Sequence, residues 1–491
     1  MTMKLSKSIE KNLEIFQQKI FHDDDVIRYR RFTLGNTQIK CGIIFIDSMI
    51  DKDYLGENVI SPLTRCKSES IHLREIYPSI ENIIAVESLR ISKGLEQMIE
   101  GILYGDALLL IDGTDLGMIL SVKGWEYRSI SEPTSESVVR GSREGFTESI
   151  IINISLLRRK IQDSRLKFKM QELGRRTKTK IAICYIEDLV SPQILQEVFE
   201  RINKIDIDGI LESGYIEELI KDSPLSPFKT VGHTERPDIL AGKILEGRVG
   251  ILCDGTPFVL TVPFIFMEGF QSNEDYYRNW ALASLDRMLR YVGFFITTST
   301  PAIYLSLITY HQEMIPTPLL LSISAAREGI PFPTIFELIV LGLVFEILRE
   351  GGVRLPSPIG QALSIVGAIV LGDAAVTANF VSAPMIIVIA LTGISSFVIP
   401  QFLGVVILIR LAFVLFASVL GLYGFVFAVI GLFIHLMSIR SFGIPYMTEL
   451  SSYKLEDVKD TVIRAPWWWM QRRPKLITKK NRPKRKRIEG K

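Results

Sequence analysis

Four ionisable side chains, Glu337, Glu346, Asp373 and Arg410, stand inside stretches that are otherwise almost free of charge. A charge at the centre of an apolar membrane helix costs roughly 2.5–3.5 kcal/mol, so each needs a partner or water, and each is a candidate for handling ions. Glu346 lies three residues before Arg349, the spacing of a helical ion pair. Glu337 is close enough to the end of its apolar stretch to reach lipid headgroups. Asp373 is deeper, and Arg410 is its expected counter-charge. Around Asp373, the residues Gln361, Ser364, Ala368, Gly372, Ala375, Asn379 and Ser382 fall within an arc of about 80° at 100° per residue. Such a stripe of small and polar side chains faces either a closely packed helix or water. In the second case, several copies of the helix, one per subunit, would wall a weakly polar pore.

Other chemistry is harder to find. There is no GxxxxGK[ST], no GxGxxG after a strand, no HExxH and no GxSxG, and His22, His72, His233, His311 and His435 are scattered. Cys41, Cys66, Cys184 and Cys253 are isolated, with no CxxC and no His at ligand spacing, as in buried thiols of a reducing compartment. The expectation is a chain without enzyme activity, catalytic residues, metal or cofactor, and without a nucleic-acid partner. The polar run HTERPD from His233 reads as a loop with local ion pairs.

The elements that carry these residues follow from composition. The 491 residues have a mean hydropathy of +0.25 although 23% are charged, which is an average over unlike regions. Residues 1–291 hold 38 Lys and Arg against 43 Asp and Glu, whereas residues 292–439 hold 4 against 6. The second region is membrane-like, with apolar spans at 292–310, 334–348, 359–381, 384–401, 403–420 and 421–439. A bundle of about four to six transmembrane helices is expected, with PTPLLLSISAA from Pro316 too short to span. Arg278, Arg287 and Arg290 before the first span, Arg349 and Arg354 after the second, and Arg440 after the last fit a multi-pass protein with both termini in the cytoplasm. MTMKLSKSIEKNLEIFQQKI lacks an apolar core and is not read as a signal peptide. From Met470 eleven basic residues face one acid, Glu489; with Trp467, Trp468 and Trp469, this tail is a candidate contact for anionic membrane lipids.

The soluble part repeats itself. IKCGIIFIDSMI, ending at Ile50, resembles KIAICYIEDLVS, ending at Ser191, and Asp112-Gly113-Thr114 matches Asp254-Gly255-Thr256 at an offset of 142. Each half reads as a buried strand, helical segments and an Asp-Gly hairpin, so the Asp-Gly pairs have turn duty. The expected fold is α/β plus an α-helical polytopic membrane domain. Its divisions are subdomain 1 over 1–139, a connecting helix over 140–165, subdomain 2 over 166–291, transmembrane residues 292–440 and a basic cytoplasmic tail over 441–491.

Four runs carry a resemblance to a known family. They are RGSREGFTESIIINISLLRRKIQ from Arg140, HTERPDILAGKILEGRVGILCDGTPFVLTVPFIFMEGFQSNEDYY from His233, REGIPFPTIFELIVLGLVFEILREGGVRLPSPIGQALSIVGAIVLGDAAV from Arg327 and SFGIPY from Ser441. In this order, from Arg140 to Tyr446, they resemble the A subunits of GerA-type spore germinant receptors, within the GerA and stage V sporulation AF-type family. The resemblance implies a protein of the spore inner membrane that works with a nutrient-binding B subunit and a lipoprotein C subunit. It also implies a homo-oligomer, a pentamer, forming a nutrient-gated cation channel, with no ligand site in this chain. Asp373 stands where the resemblance leads to an uncharged polar residue. The competing readings are an AF-type accessory channel protein, a secondary transporter, for which the spans show no inverted repeat, and a non-conducting scaffold.

Overall fold

Short, mostly continuous apolar runs in the first 290 positions build two five-stranded antiparallel sheets. In this computed structural model, residues 5–66, 76–124, 136, 138, 140–354, 372–448, 460–470, 473 and 477–478 are described. The first sheet contains β1 (Ile27–Thr33), β2 (Lys40–Ile46), β3 (Leu89–Ser92), β4 (Ala107–Ile111) and β5 (Gly117–Leu120), in the order β1-β2-β4-β5-β3. The second contains β6 (Leu166–Leu173), β7 (Thr179–Ile186), β8 (Gly232–Thr234), β9 (Val249–Cys253) and β10 (Val259–Val262), in the order β6-β7-β9-β10-β8. The strand orders are identical, so the repeat read from the Asp-Gly hairpins is a repeat of topology. Gly113 (φ 88°) and Gly255 (φ 90°) supply the left-handed turn conformation in both.

The helices repeat too. In the first half the repeated helices are α1 (Ile9–Glu14) and α2 (Leu95–Leu103), beside further short helical segments over 52–65 and 76–81. The second has α3 (Ile150–Lys160), α4 (Pro192–Asn203), α5 (Ser213–Ile220) and α6 (Pro237–Leu245). Asp112 accepts the Ile9 N–H at 2.9 Å and Asp254 accepts the Ile150 N–H at 3.0 Å, each satisfying an orphan donor at a helix start. Buried Asn12 holds Ser6 N–H and C=O as buried Asn153 holds those of Thr147. The helix expected to be a connector is therefore the counterpart of α1, the opening element of the second repeat. Side chains of one face of each sheet, with α1, α2, α3 and α6, share a single core that welds the halves together. The opposite face of the second sheet packs on α4 and α5.

The helical region starts earlier than hydropathy suggests, because α7 runs unbroken over Trp280–Thr309 rather than beginning at 292. It is followed by α8 (Thr317–Arg327), α9 (Thr334–Arg354), α10 (Gly372–Thr377), α11 (Ala383–Ser396) and α12 (Leu403–Ser438). Trp280–Thr309 and Pro400–Ser438 are long and apolar enough to cross a membrane. Residues 355–371, most of the expected third span, lie outside the described residues.

Within α12 only Gly421 leaves helical conformation, at φ 60° and ψ −139°. Phe402 before α12 packs on Phe266 at 5.3 Å, and His435 near its end packs on Phe228, itself 6.2 Å from Phe266. Gly421 instead sits against Tyr310 and His311, beyond the far end of α7. The chain thus reverses at Gly421, where the sequence divides 403–420 from 421–439.

Candidate functional site

Two groups of charges among the helices and one beneath them take up the ionisable residues singled out above, except Asp373. The first joins α9 and α12. Arg410 places Nη2 2.6 Å from Glu346 Oε1, and Arg349 reaches the other carboxylate oxygen at 2.5 Å. The i,i+3 pair expected from spacing is present. Arg410, however, is committed to Glu346 rather than to Asp373. Asp373 is exposed on α10 and makes no ion pair among the described residues.

The second group joins α8, α9 and the start of α11. Glu337 is 1% exposed and does not reach outward to headgroups. Its Oε2 accepts hydrogen bonds from the N–H and the hydroxyl of Ser382, both 2.9 Å long, and Arg327 lies 3.6 Å from Oε1. This contact explains why Ser382 departs from the proposed stripe: it is the residue before α11, 1% exposed, with its hydroxyl turned to Glu337. Asn379 also leaves the helical path, at φ 53°, because α10 ends at Thr377. Of the seven stripe residues, Gly372 and Ala375 are on α10, and Gln361, Ser364 and Ala368 lie outside the described residues.

The third group was missed. Arg287 and Arg290 had served only to orient α7, yet they point inward, three residues apart, opposite the exposed Leu282, Leu285 and Leu289. The Arg287 side chain is fully buried, with Nε 3.1 Å from Asp275 Oδ2 and Nη1 3.0 Å from Asp460 Oδ1. It also donates to the backbone oxygens of Asp460 (2.7 Å) and Thr461 (3.2 Å). Arg290 clamps both oxygens of Asp275 at 2.9 Å. Tyr276 donates to Asp460 Oδ2 at 2.6 Å, and Arg464 N–H donates to Ser284 at 3.1 Å. Burial pushes the Asp460 carboxyl above the usual range, and Arg287 opposes that rise. Burial, reinforced by Asp460, drives the Tyr276 phenol well above its ordinary value. The only sequence sign was a pair of arginines on one side of an apolar helix.

The described residues between 441 and 478 are accordingly not a detached tail. A hairpin of β11 (Arg440–Ser441) and β12 (Ile444–Pro445) follows α12 directly. Ser441 bridges Thr230 C=O and Phe264 N–H, and Asp222 accepts the Phe442 N–H at 3.0 Å. Further on, Thr478 pairs with Val190 as Lys123 pairs with Ile50 in the first repeat. Trp467, Trp468 and Trp469 are exposed near the start of α7, with Trp467 5.9 Å from Tyr276, some 20 Å short of the aromatic layer around Phe294 by helix rise. The basic residues from Lys479 onward lie outside the described residues.

The polar run at His233 forms β8 and the start of α6. Buried Arg236 pairs with Asp238 at 2.8 Å, and Tyr277 donates to the same carboxylate at 2.6 Å. Burial alone would raise the Asp238 carboxyl, but Arg236 and Tyr277 outweigh it and hold it below the usual range. Among the described residues no group of His, Cys, Asp and Glu could hold a metal ion. The second repeat, the start of α7 and the segment Asp460–Arg464 thus meet through ion pairs and hydrogen bonds between segments far apart in sequence.

Comparison with known proteins adds identity. Residues 14–476 match the family model described as Bacillus/Clostridium GerA spore germination protein. Spore germination protein KA of Bacillus subtilis is 42% identical over 97% of this chain and 88% of its own length. Spore germination protein B1 of the same organism is 38% identical over 96% and 98%. The membrane protein YfkQ of B. subtilis is 42% identical over 97% and 93%. The crystal structure of the N-terminal domain of the A subunit of the Bacillus megaterium spore germinant receptor GerK3 covers 54% of this chain and 98% of its own, at 27% identity and a TM-score of 0.41.

Proposed function

Because the chain belongs to the GerA family of spore germination proteins, we propose that it is the A subunit of a nutrient-germinant receptor in the spore inner membrane. In this reading it acts with a nutrient-binding B subunit and a lipoprotein C subunit, and several copies assemble into an ion channel. Opening requires that nutrient binding favour the open arrangement by a few kcal/mol. The observation that carries the reading is the double attachment of the helices to the second α/β repeat. The start of α7 is held through Tyr277, which donates to Asp238 on α6, and the end of α12 is held through Ser441 and Phe442. A displacement of the α/β unit is then imposed on both helices together.

The pore wall is assigned to Gln361, Ser364, Ala368, Gly372 and Ala375, with Asn379 at its mouth. Asp373 and the Glu346–Arg410 pair are the charges nearest to that path in sequence and helix neighbourhood. The test is reconstitution of the full chain with its B and C partners and recording of nutrient-dependent current. Ser364→Trp is expected to suppress unitary current while the complex still assembles. Saturable solute flux without channel events would overturn the reading in favour of a transporter, and assembly without current would leave a scaffold.

A further inference from the structure

Two short helices, α8 and α10, bury no side chain among the described residues. The helices they lead into are fixed instead. Leu338 of α9, with Met385 and Ile389 of α11, is buried in a core shared with α7 and α12. Elements with few buried apolar contacts are those that move at low cost. Polar contacts must therefore place the ends of α8 and α10.

Both ends converge on Glu337. Arg327 is the last residue of α8, and Ser382 closes the turn that follows Thr377, where α10 ends. Glu337 Oε2 takes the N–H and the hydroxyl of Ser382, while Oε1 faces Arg327 at 3.6 Å, too long for a hydrogen bond. Oε1 and Arg327 Nε are buried without a hydrogen-bond partner among the described residues, and Tyr304 of α7 adjoins them. Phe380, in the same turn, stacks on Phe332 but is 58% exposed. A fully satisfied network makes a rigid joint. One that rests on a single carboxylate oxygen and leaves buried groups unpaired has less to lose when it exchanges for another arrangement.

We propose that Glu337 is the latch of the pore-lining segment: its carboxylate holds the turn between α10 and α11 in the closed arrangement, and opening releases Ser382 from it. Glu337 is a positioning residue that acts through this turn and does not touch the ion. Removing its charge leaves Arg327 without an ion pair and weakens both bonds to Ser382, so the closed arrangement loses contacts that the open one lacks. The inference rests on the reading of the chain as a channel-forming subunit and adds which contact keeps the channel shut.

The test uses the full chain reconstituted with its B and C partners in vesicles holding potassium chloride, with no nutrient present. Val381, beside Ser382, is buried and becomes the reporter as Val381→Cys, in a Cys66→Ser background that removes the one native thiol that is not buried. Glu337→Gln should speed the reaction of this cysteine with a charged thiol reagent by about tenfold or more, the factor that one charged hydrogen bond carries. It should also give potassium current where the parent protein is silent. Ala302→Cys, buried on α7, should stay inert in both backgrounds, which separates release of the turn from general loosening of the bundle. Ser382→Ala keeps the N–H bond and loses the hydroxyl, so it should move both readouts the same way by less; it carries the test if Glu337→Gln does not assemble. Unchanged reactivity of Val381→Cys, or equal acceleration at Ala302→Cys, overturns the latch. Faster reaction at Val381→Cys alone, with the membrane non-conducting in every variant, overturns the channel reading on which the latch rests.

Discussion

Replacing Arg287 by Met keeps the buried stem and removes the guanidinium that joins Asp275 to Asp460. Asp275 retains both bonds from Arg290, so the loss concentrates on the segment Asp460–Arg464. Asp460 forfeits a charged bond at 3.0 Å, and its backbone oxygen and that of Thr461 forfeit donors. Breaking a buried pair by removing one partner costs about 3–5 kcal/mol. The Asp460 side chain is 29% exposed and can escape by taking up a proton, so the lower end, ~3 kcal/mol, applies here. That corresponds to a rise of roughly 150-fold in the population with this segment undocked. Limited proteolysis of the full chain between Thr448 and Arg473 reads it, under conditions in which undocking is fast relative to cleavage. Adding Asp460→Asn should recover ~1–2 kcal/mol, since the orphaned carboxylate disappears with it. A change below threefold for Arg287→Met, or no recovery in the double variant, refutes the account of Arg287 as the clamp.

Other substitutions probe the remaining features. Gly421→Ala places a Cβ 2.9 Å from Tyr310 Cβ and His311 Nε2 in a backbone conformation that L side chains avoid. It should cost at least ~2 kcal/mol in thermal unfolding, against little change for Gly431→Ala, where space is open. Glu346→Gln leaves Arg410 and Arg349 facing each other and should destabilise by about 2–3 kcal/mol, with Arg410→Met added on top restoring part of it. Additive costs would show that the pair is not coupled. The depressed Asp238 carboxyl contributes stability that is complete above the ordinary carboxylate range and is lost as pH falls through its folded value. The wild type should therefore lose more thermal stability than Asp238→Asn between about pH 6 and pH 3, and equal slopes would argue against this.

Local patterns revealed the repeat because its signals are short-range: an Asp-Gly turn forces positive φ at Gly113 and Gly255, and buried strands must be apolar. The pairing of α1 with α3 was hidden because the two helices share little besides Asn12 and Asn153, whose roles appear only once their hydrogen bonds to Ser6 and Thr147 are seen. Hydropathy put the first span at 292 because it averages around a helix. Arg287 and Arg290 lower the average although they face inward, while Leu282 and Leu285 face out. The Glu346–Arg349 pair was legible from i,i+3 spacing. The choice of Glu346 over Asp373 by Arg410 was not, because it depends on which helices pack together.

In the first repeat, Ile50 finds its pairing partner at Lys123, some seventy residues later; in the second, Val190 must wait for Thr478. The difference sets an order of manufacture. A growing chain can finish its first sheet while the ribosome is still reading the soluble region. The bridge at Val190, just past β7, can form only after every apolar helix has been synthesised and Thr478 has come back. That contact is therefore among the last of the second α/β unit to be completed, and a chain truncated within the helices lacks it.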